Sequence, residues 1–181
     1  MKKLLFVFAF ILISNLSWSQ ESYVLDVAEI KLKKTGVNGN GITIRATTNE
    51  TIRHLGQPSK KEDYFFEIDD KMGKLYHYGK NEFYFLDDKL QSFNLYDTLV
   101  TVHLKNGRKA RIADKLKKES NTNNEMTFLG FPVSAVPGNG FNRNYKTALI
   151  FYLSYRNQAL DSSLNLLFDD QDGLICIELH H

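Results

Sequence analysis

Two adjacent carboxylate pairs, Asp87-Asp88 and Asp169-Asp170, are the residues whose types first suggest acid–base or cation chemistry. Neighbours on a strand point to opposite faces, so such a pair converges only where the chain turns. Asp170-Gln171-Asp172-Gly173 opens like a calcium loop but lacks the later ligands and the closing Glu. Asp-Lys and Asp-Gly steps between two apolar segments are ordinary turn chemistry, and both pairs are read that way. The histidines are dispersed as His54, His77, His103 and the terminal His180-His181. None has a His, Cys, Asp or Glu at zinc-ligand spacing, so no metal site is expected. Cys176 is the only thiol and sits in the apolar run Leu174-Ile175-Cys176-Ile177. That setting implies a buried, inert side chain, because an activated thiolate needs cationic or helix-terminal surroundings. There is no Gly-x-Ser-x-Gly elbow, and Gly36 to Gly41 lacks the Gly-Lys-Ser/Thr of a phosphate loop. No catalytic residue and no cofactor are expected.

Two other groups of residues point to binding. From Lys105 to Lys118 the chain carries Lys105, Arg108, Lys109, Arg111, Lys115, Lys117 and Lys118 against the single acid Asp114. Such a run is either a solvated hairpin tip and helix face or, as its functional reading, a docking patch for an acidic partner or for an anionic envelope surface. The formal net charge is +2, and setting Lys2 and Lys3 aside leaves 21 basic and 21 acidic residues. A balanced charge argues against general nucleic-acid binding. Tyr76, Tyr78, Tyr84, Tyr152 and Tyr155 are assigned to an uncovered sheet face, where tyrosine serves as an interface anchor. Phe141, Asn142 and Arg143 join them from a Gly-rich loop between Val136 and Asn144. The expected partner is another protein.

The elements that hold these residues follow from pattern. Met1-Lys2-Lys3, the apolar run Leu4 to Ile13 and the small residues Ser17 and Ser19 read as a signal peptide over residues 1–19, cleaved before Gln20. That run is too short to span a membrane, and no later stretch suits one. Beyond it, Tyr23 to Lys33 alternates as a strand, and Ile42 to Ala46 returns as its partner. Thr47-Thr48-Asn49-Glu50 has the spacing of a capping box, so a short helix runs to Leu55 and stops at Gly56 before Pro58. Leu99 to Lys105 and Arg108 to Ile112 flank Asn106-Gly107, a type I′ hairpin signal, and Ala113 to Glu119 reads as a second helix.

Ile52-Arg53-His54-Leu55-Gly56-Gln57-Pro58 is matched by Met126-Thr127-Phe128-Leu129-Gly130-Phe131-Pro132, both apolar-x-x-Leu-Gly-x-Pro. Each copy leads to an Asp-Asp pair and a final strand, Leu90 to Leu95 or Leu174 to Leu179. The expectation is therefore an α+β fold of two tandem repeats, each a short helix packed on an antiparallel β-sheet, with modules over 20–96 and 97–181. In this alignment Phe93 and Leu95 match Ile177 and Leu179 on the helix-covered face. The Leu-Gly-x-Pro helix stop, the strand Leu75-Tyr76-His77-Tyr78-Gly79 and the segment Phe83 to Leu90 resemble outer-membrane assembly lipoproteins of the SmpA/OmlA type. They are also similar to the β-lactamase-inhibitor-protein-like fold. The resemblance covers about Thr47 to Leu95 and, more loosely, Glu125 to Leu179, without a lipobox Cys. It implies a binding role: an exported, periplasmic or secreted inhibitor or toxin-immunity protein, or alternatively an envelope-assembly or maintenance factor.

Overall fold

The structure, a computed structural model, describes residues 23–118, 126–133, 138–140 and 143–180. The expected signal peptide and its cleavage site lie outside these residues, as do Phe141 and Asn142. In chain order the first half contains β1 (Tyr23–Asp26), β2 (Lys31–Lys34), β3 (Ile42–Thr43), α1 (Thr48–Leu55), β4 (Lys60–Phe66), β5 (Lys71–Tyr78), β6 (Asn81–Leu86) and β7 (Lys89–Leu95). The second contains β8 (Val100–His103), β9 (Lys109–Ala110), β10 (Lys117–Lys118), β11 (Met126–Phe128), β12 (Phe131–Pro132), β13 (Gly138–Gly140), β14 (Arg143–Tyr145), β15 (Thr147–Tyr155), β16 (Gln158–Phe168) and β17 (Leu174–His180). An eight-stranded sheet runs β1-β15-β16-β17-β7-β6-β5-β4, and a four-stranded sheet runs β3-β2-β8-β9. Only β1 pairs in parallel, against β15; every other neighbour is antiparallel.

The tandem helix-on-sheet expectation is overturned. Strand dominates, α1 is the single α-helix among the described residues, and both sheets draw strands from either side of residues 96–98. The two final strands lie side by side at the centre of the large sheet, pairing Phe93 with Leu179 and Leu95 with Ile177. All four side chains are buried. The two leading hairpins do not cover separate modules either. They meet through β2 and β8 to form the small sheet, which packs its apolar side on the large one. Ile30, Leu32, Ile42, Val102 and Ala110 from the small sheet share one core with Phe83, Phe93, Phe151, Leu164 and Ile177 from the large sheet. Each fully buried Val, Leu, Ile or Phe among these contributes about 1.5–3 kcal/mol.

The first helix forms as its local sequence dictates. Thr47 Oγ1 accepts the Glu50 N–H at 3.1 Å, and Glu50 Oε2 accepts the Thr47 N–H at 2.8 Å. Thr51 and Leu55 face the core, and Gly56 ends the helix at φ 94° and ψ −172°. The second expected helix does not form. Ala113 adopts φ 76°, and the chain then runs extended along the Asp169 to Gly173 loop. Leu116 N–H donates to the Asp172 carbonyl, and Leu174 N–H to the Asp114 carbonyl. Ile112 and Leu116 have helical spacing, but both are buried from an extended strap whose backbone partners come from the far end of the chain.

The second Leu-Gly-x-Pro is likewise no helix stop. Leu129 and Gly130, at φ 55° and 76°, form the turn between β11 and β12. The strand expected over Tyr23 to Lys33 changes sheets at Asp26. Its Oδ1 caps a short 3-10 turn by accepting the Ala28 N–H, while Oδ2 accepts the Arg156 N–H. A hairpin turns at Asn106-Gly107 with both residues at positive φ, but the register pairs His103 with Lys109 and Leu104 N–H donates to the Arg108 carbonyl. The connection therefore has three residues, Lys105 to Gly107, and not the two of the expected type I′ turn.

Candidate functional site

The large sheet has one face against the core and one face turned away from it. Strand alternation places Ile150, Asn165, Glu178, Asn94, Glu82 and His77 in one row on the outer face, crossing β15, β16, β17, β7, β6 and β5 as register partners. The middle of this row is a band of mutually bonded polar groups. Tyr84 Oη donates to Glu82 Oε2 at 2.8 Å, and Asn94 Nδ2 donates to the same oxygen at 3.2 Å. His77 Nε2 lies 2.6 Å from Glu62 Oε1, and Lys60 pairs with that carboxylate. Glu178, only 3% exposed, accepts from Asn165 Nδ2 at 3.4 Å and lies 3.0 Å from His180 Nε2.

Burial, the bond to Glu82 and that carboxylate's charge raise the Tyr84 hydroxyl well above its ordinary pKa, so it remains a proton donor. Bonds from Lys60 and then His77 hold the Glu62 carboxyl below its ordinary value. Beside the band, Tyr96 and Tyr145 lean on Ala148, Leu167 and Cys176. The Cys176 thiol is buried, as its apolar run implied, with Sγ 3.8 Å from Glu178 Oε2. Towards the β1 edge the surface turns apolar and accessible. Val24 is 61% exposed, its register partner Tyr152 54%, and Ile150 38%.

The tyrosines therefore divide. Tyr152 and Tyr155 are exposed, and Tyr84 is half-buried on the outer face. Tyr76 and Tyr78 are corrected: they pair with Phe83 and Asn81 and point into the core. Tyr78 meets Phe83 edge-on at 5.2 Å, and Tyr76 meets Phe85 at 4.9 Å. In β5 the outer face belongs to Leu75 and His77, one residue out of phase with the tyrosines. Arg143 lies in the β13–β14 hairpin.

The two Asp pairs are turns of unlike form. Asp87 and Asp88 both have positive φ between β6 and β7, and Asp88 Oδ1 accepts from Thr48 at the start of α1. Asp169 Oδ1 instead accepts the Gln171 and Gly173 N–H groups of a longer loop. Among the described residues no group of three or more His, Cys, Asp or Glu is placed to hold a metal ion.

The basic run does not form one patch. Arg108 stacks its guanidinium 4.4 Å from the Phe131 ring centre, Lys115 donates to the Gln171 carbonyl, and Lys117 and Lys118 lie exposed in β10. Lys105 pairs with Glu29. Only Lys109 and Arg111 converge, and they do so with residues that sequence reasoning missed. With Lys33, Thr101 and His103 they line an open cleft of about 460 Å³ on the outer face of the small sheet. The missed signal is the alternation in Lys31-Leu32-Lys33-Lys34, which sends Lys31 and Lys33 to the side opposite Leu32. Another lies in Cys176-x-Glu178-x-His180, three groups on one strand face. No family model matches this chain, and neither the curated proteins nor the solved structures give a significant match. Among the described residues no helix is long and apolar enough to cross a membrane.

Proposed function

We propose that this protein is a non-enzymatic, exported binding protein of the inhibitor or immunity type, holding another protein against the outer face of its eight-stranded sheet. The supporting observation is the juxtaposition of Val24, Ile150 and Tyr152, accessible apolar side chains on adjacent strands of one face. Beside them, Glu82, Tyr84 and Asn94 hold one another in place. A pre-ordered polar band beside an apolar anchor loses little conformational entropy on docking, which is the economy an interface needs. The carboxylates of the band are engaged with their own neighbours, which favours recognition over turnover.

The test places a photoreactive amino acid at position 152 and, as a control, at position 118 in β10. Cross-linking in envelope extracts should yield one saturable adduct from position 152 and none from 118. The identified partner should then bind Tyr152→Glu at least about tenfold more weakly than the unaltered protein, a loss of about 1.4 kcal/mol. Equal binding by the Val24→Glu/Tyr152→Glu double variant overturns the assignment. An adduct with an outer-membrane protein would move the role to envelope assembly.

A further inference from the structure

We propose that the cleft on the outer face of the four-stranded sheet binds a phosphorylated ligand, seating a multiply charged phosphate group between Lys33, His103, Lys109 and Arg111. This site is on the opposite layer of the molecule from the surface assigned above and stands independently of it.

The pairing register carries the argument. Lys31 pairs with His103 across β2 and β8, and His103 pairs with Lys109 across β8 and β9. Directly opposite residues in antiparallel strands sit about 4.5–5.5 Å apart, and like charges so placed repel. A sheet face with only a structural task would intersperse acids in such a row; this one places lysines on both sides of the histidine. Lys33 and Arg111 extend the cluster along the cleft. None of Lys31, Lys33, Lys109 and Arg111 forms an ion pair with a carboxylate among the described residues.

The two acids nearby are already committed. Asp114 Oδ2 accepts the backbone N–H of Arg111, and Glu29 is taken by Lys105. Against Lys33, Lys34, Lys109 and Arg111 the cleft lining sets the single carboxylate of Asp114, so its field stays net positive and suits a compact anion. Gly36 and Gly39 line the rim, and no atom lies within 4 Å of where a side chain would begin at either residue. Thr101 hydrogen-bonds Thr35 at 2.9 Å, so recognition rests on charge rather than on neutral hydroxyl donors. Multiply charged phosphate, not a monovalent carboxylate, is what such a cluster selects.

His103 makes the site pH-responsive. Burial first, and then the charges of Lys33 and Lys109, hold its pKa below the ordinary value. The groups around it are Lys31 and Lys33 from β2, Lys109 from β9, Arg111 and Asp114 beyond β9, and the Lys105–Glu29 pair at the adjoining turn. A bound phosphate neutralises the lysine field, so it should raise the His103 pKa and bind more tightly as pH falls.

Calorimetry and histidine NMR titration on the full mature chain test this with inorganic pyrophosphate as probe. Phosphatidylcholine vesicles with and without phosphatidylglycerol form a second arm. Pyrophosphate should bind in a salt-dependent manner, and Lys33→Glu and Lys109→Glu should each weaken it at least about tenfold, whereas Lys117→Glu in β10 leaves it unchanged. His103→Gln should abolish the tightening between pH 7.5 and 5.5, and in the unaltered protein pyrophosphate should raise the His103 titration midpoint. Binding to phosphatidylglycerol vesicles without binding to pyrophosphate overturns the multiply charged phosphate, because that headgroup is a singly charged phosphodiester. Binding to both with the same variant pattern supports the proposal and adds a lipid headgroup as a source. No binding to either probe, or equal losses for Lys117→Glu and Lys33→Glu, overturns the proposal.

Discussion

His103 has an ordinary pKa near 6.5, and its surroundings in the folded protein hold it lower. Where the unfolded chain already takes up a proton, the folded protein does not. Stability is therefore complete above about pH 6.5 and falls as pH drops through the folded value. Urea midpoints measured at about pH 7.5 and 5.5, while carboxylates remain ionised, should drop for the unaltered protein and drop less for His103→Gln. Equal drops would show that His103 titrates the same way folded and unfolded. Glu178 is a nearly sequestered carboxyl group bonded by Asn165 and set beside His180. Sequence reading passed it over because its partners come from another strand and from two positions along its own. Its chemistry is visible only when strand period is applied to polar residues as strictly as to apolar ones.

Among the elements, what was legible was local. The Thr47–Glu50 box and the Asn106-Gly107 turn are fixed by residues three apart or fewer, and both formed. What was illegible depended on distant backbone: Ala113 to Lys118 answers to the Asp169–Gly173 loop, and β1 leaves β2 to pair with β15. The candidate site divides the same way. Lys109 and Arg111 stood out as part of a charge run, whereas their companions Lys31 and Lys33 are brought in by the β2–β8 pairing. Tyr76 and Tyr78 were given the wrong face because a one-residue shift of phase inverts a whole strand.

The two Leu-Gly-x-Pro segments show how similar letters serve different geometry. Gly56 sits at φ 94°, ψ −172°, a region essentially reserved for glycine. Gly130 has φ 76° in a two-residue hairpin turn, where asparagine is at ease. Gly56→Asn should therefore lose about 1–3 kcal/mol in urea unfolding, against less than about 1 kcal/mol for Gly130→Asn. Equal losses would mean the two glycines are conformationally equivalent after all, as duplication required.

At the scale of the molecule, the β7–β17 seam joins the two halves of the chain through Phe93, Leu95, Ile177 and Leu179. Because both sheets and the core cross this seam, near-UV and far-UV circular dichroism should report one coincident unfolding transition. Leu95→Ala should lower stability by about 2–5 kcal/mol without splitting that transition, while residues 20–96 expressed alone should show no cooperative unfolding. A separate transition for either half would mark the seam as a boundary between independent units. The other consequence of the topology concerns time. Tyr23, at the head of β1, finds its partner in Phe151. A ribosome delivers the first of these long before the second, and a chain threaded through a narrow pore by its leading end emerges in the same order. The leading strand has no mate until most of the chain has followed, so β1 can be seated only after β15 has been made. Such distant pairings belong to chains that fold in about milliseconds to seconds.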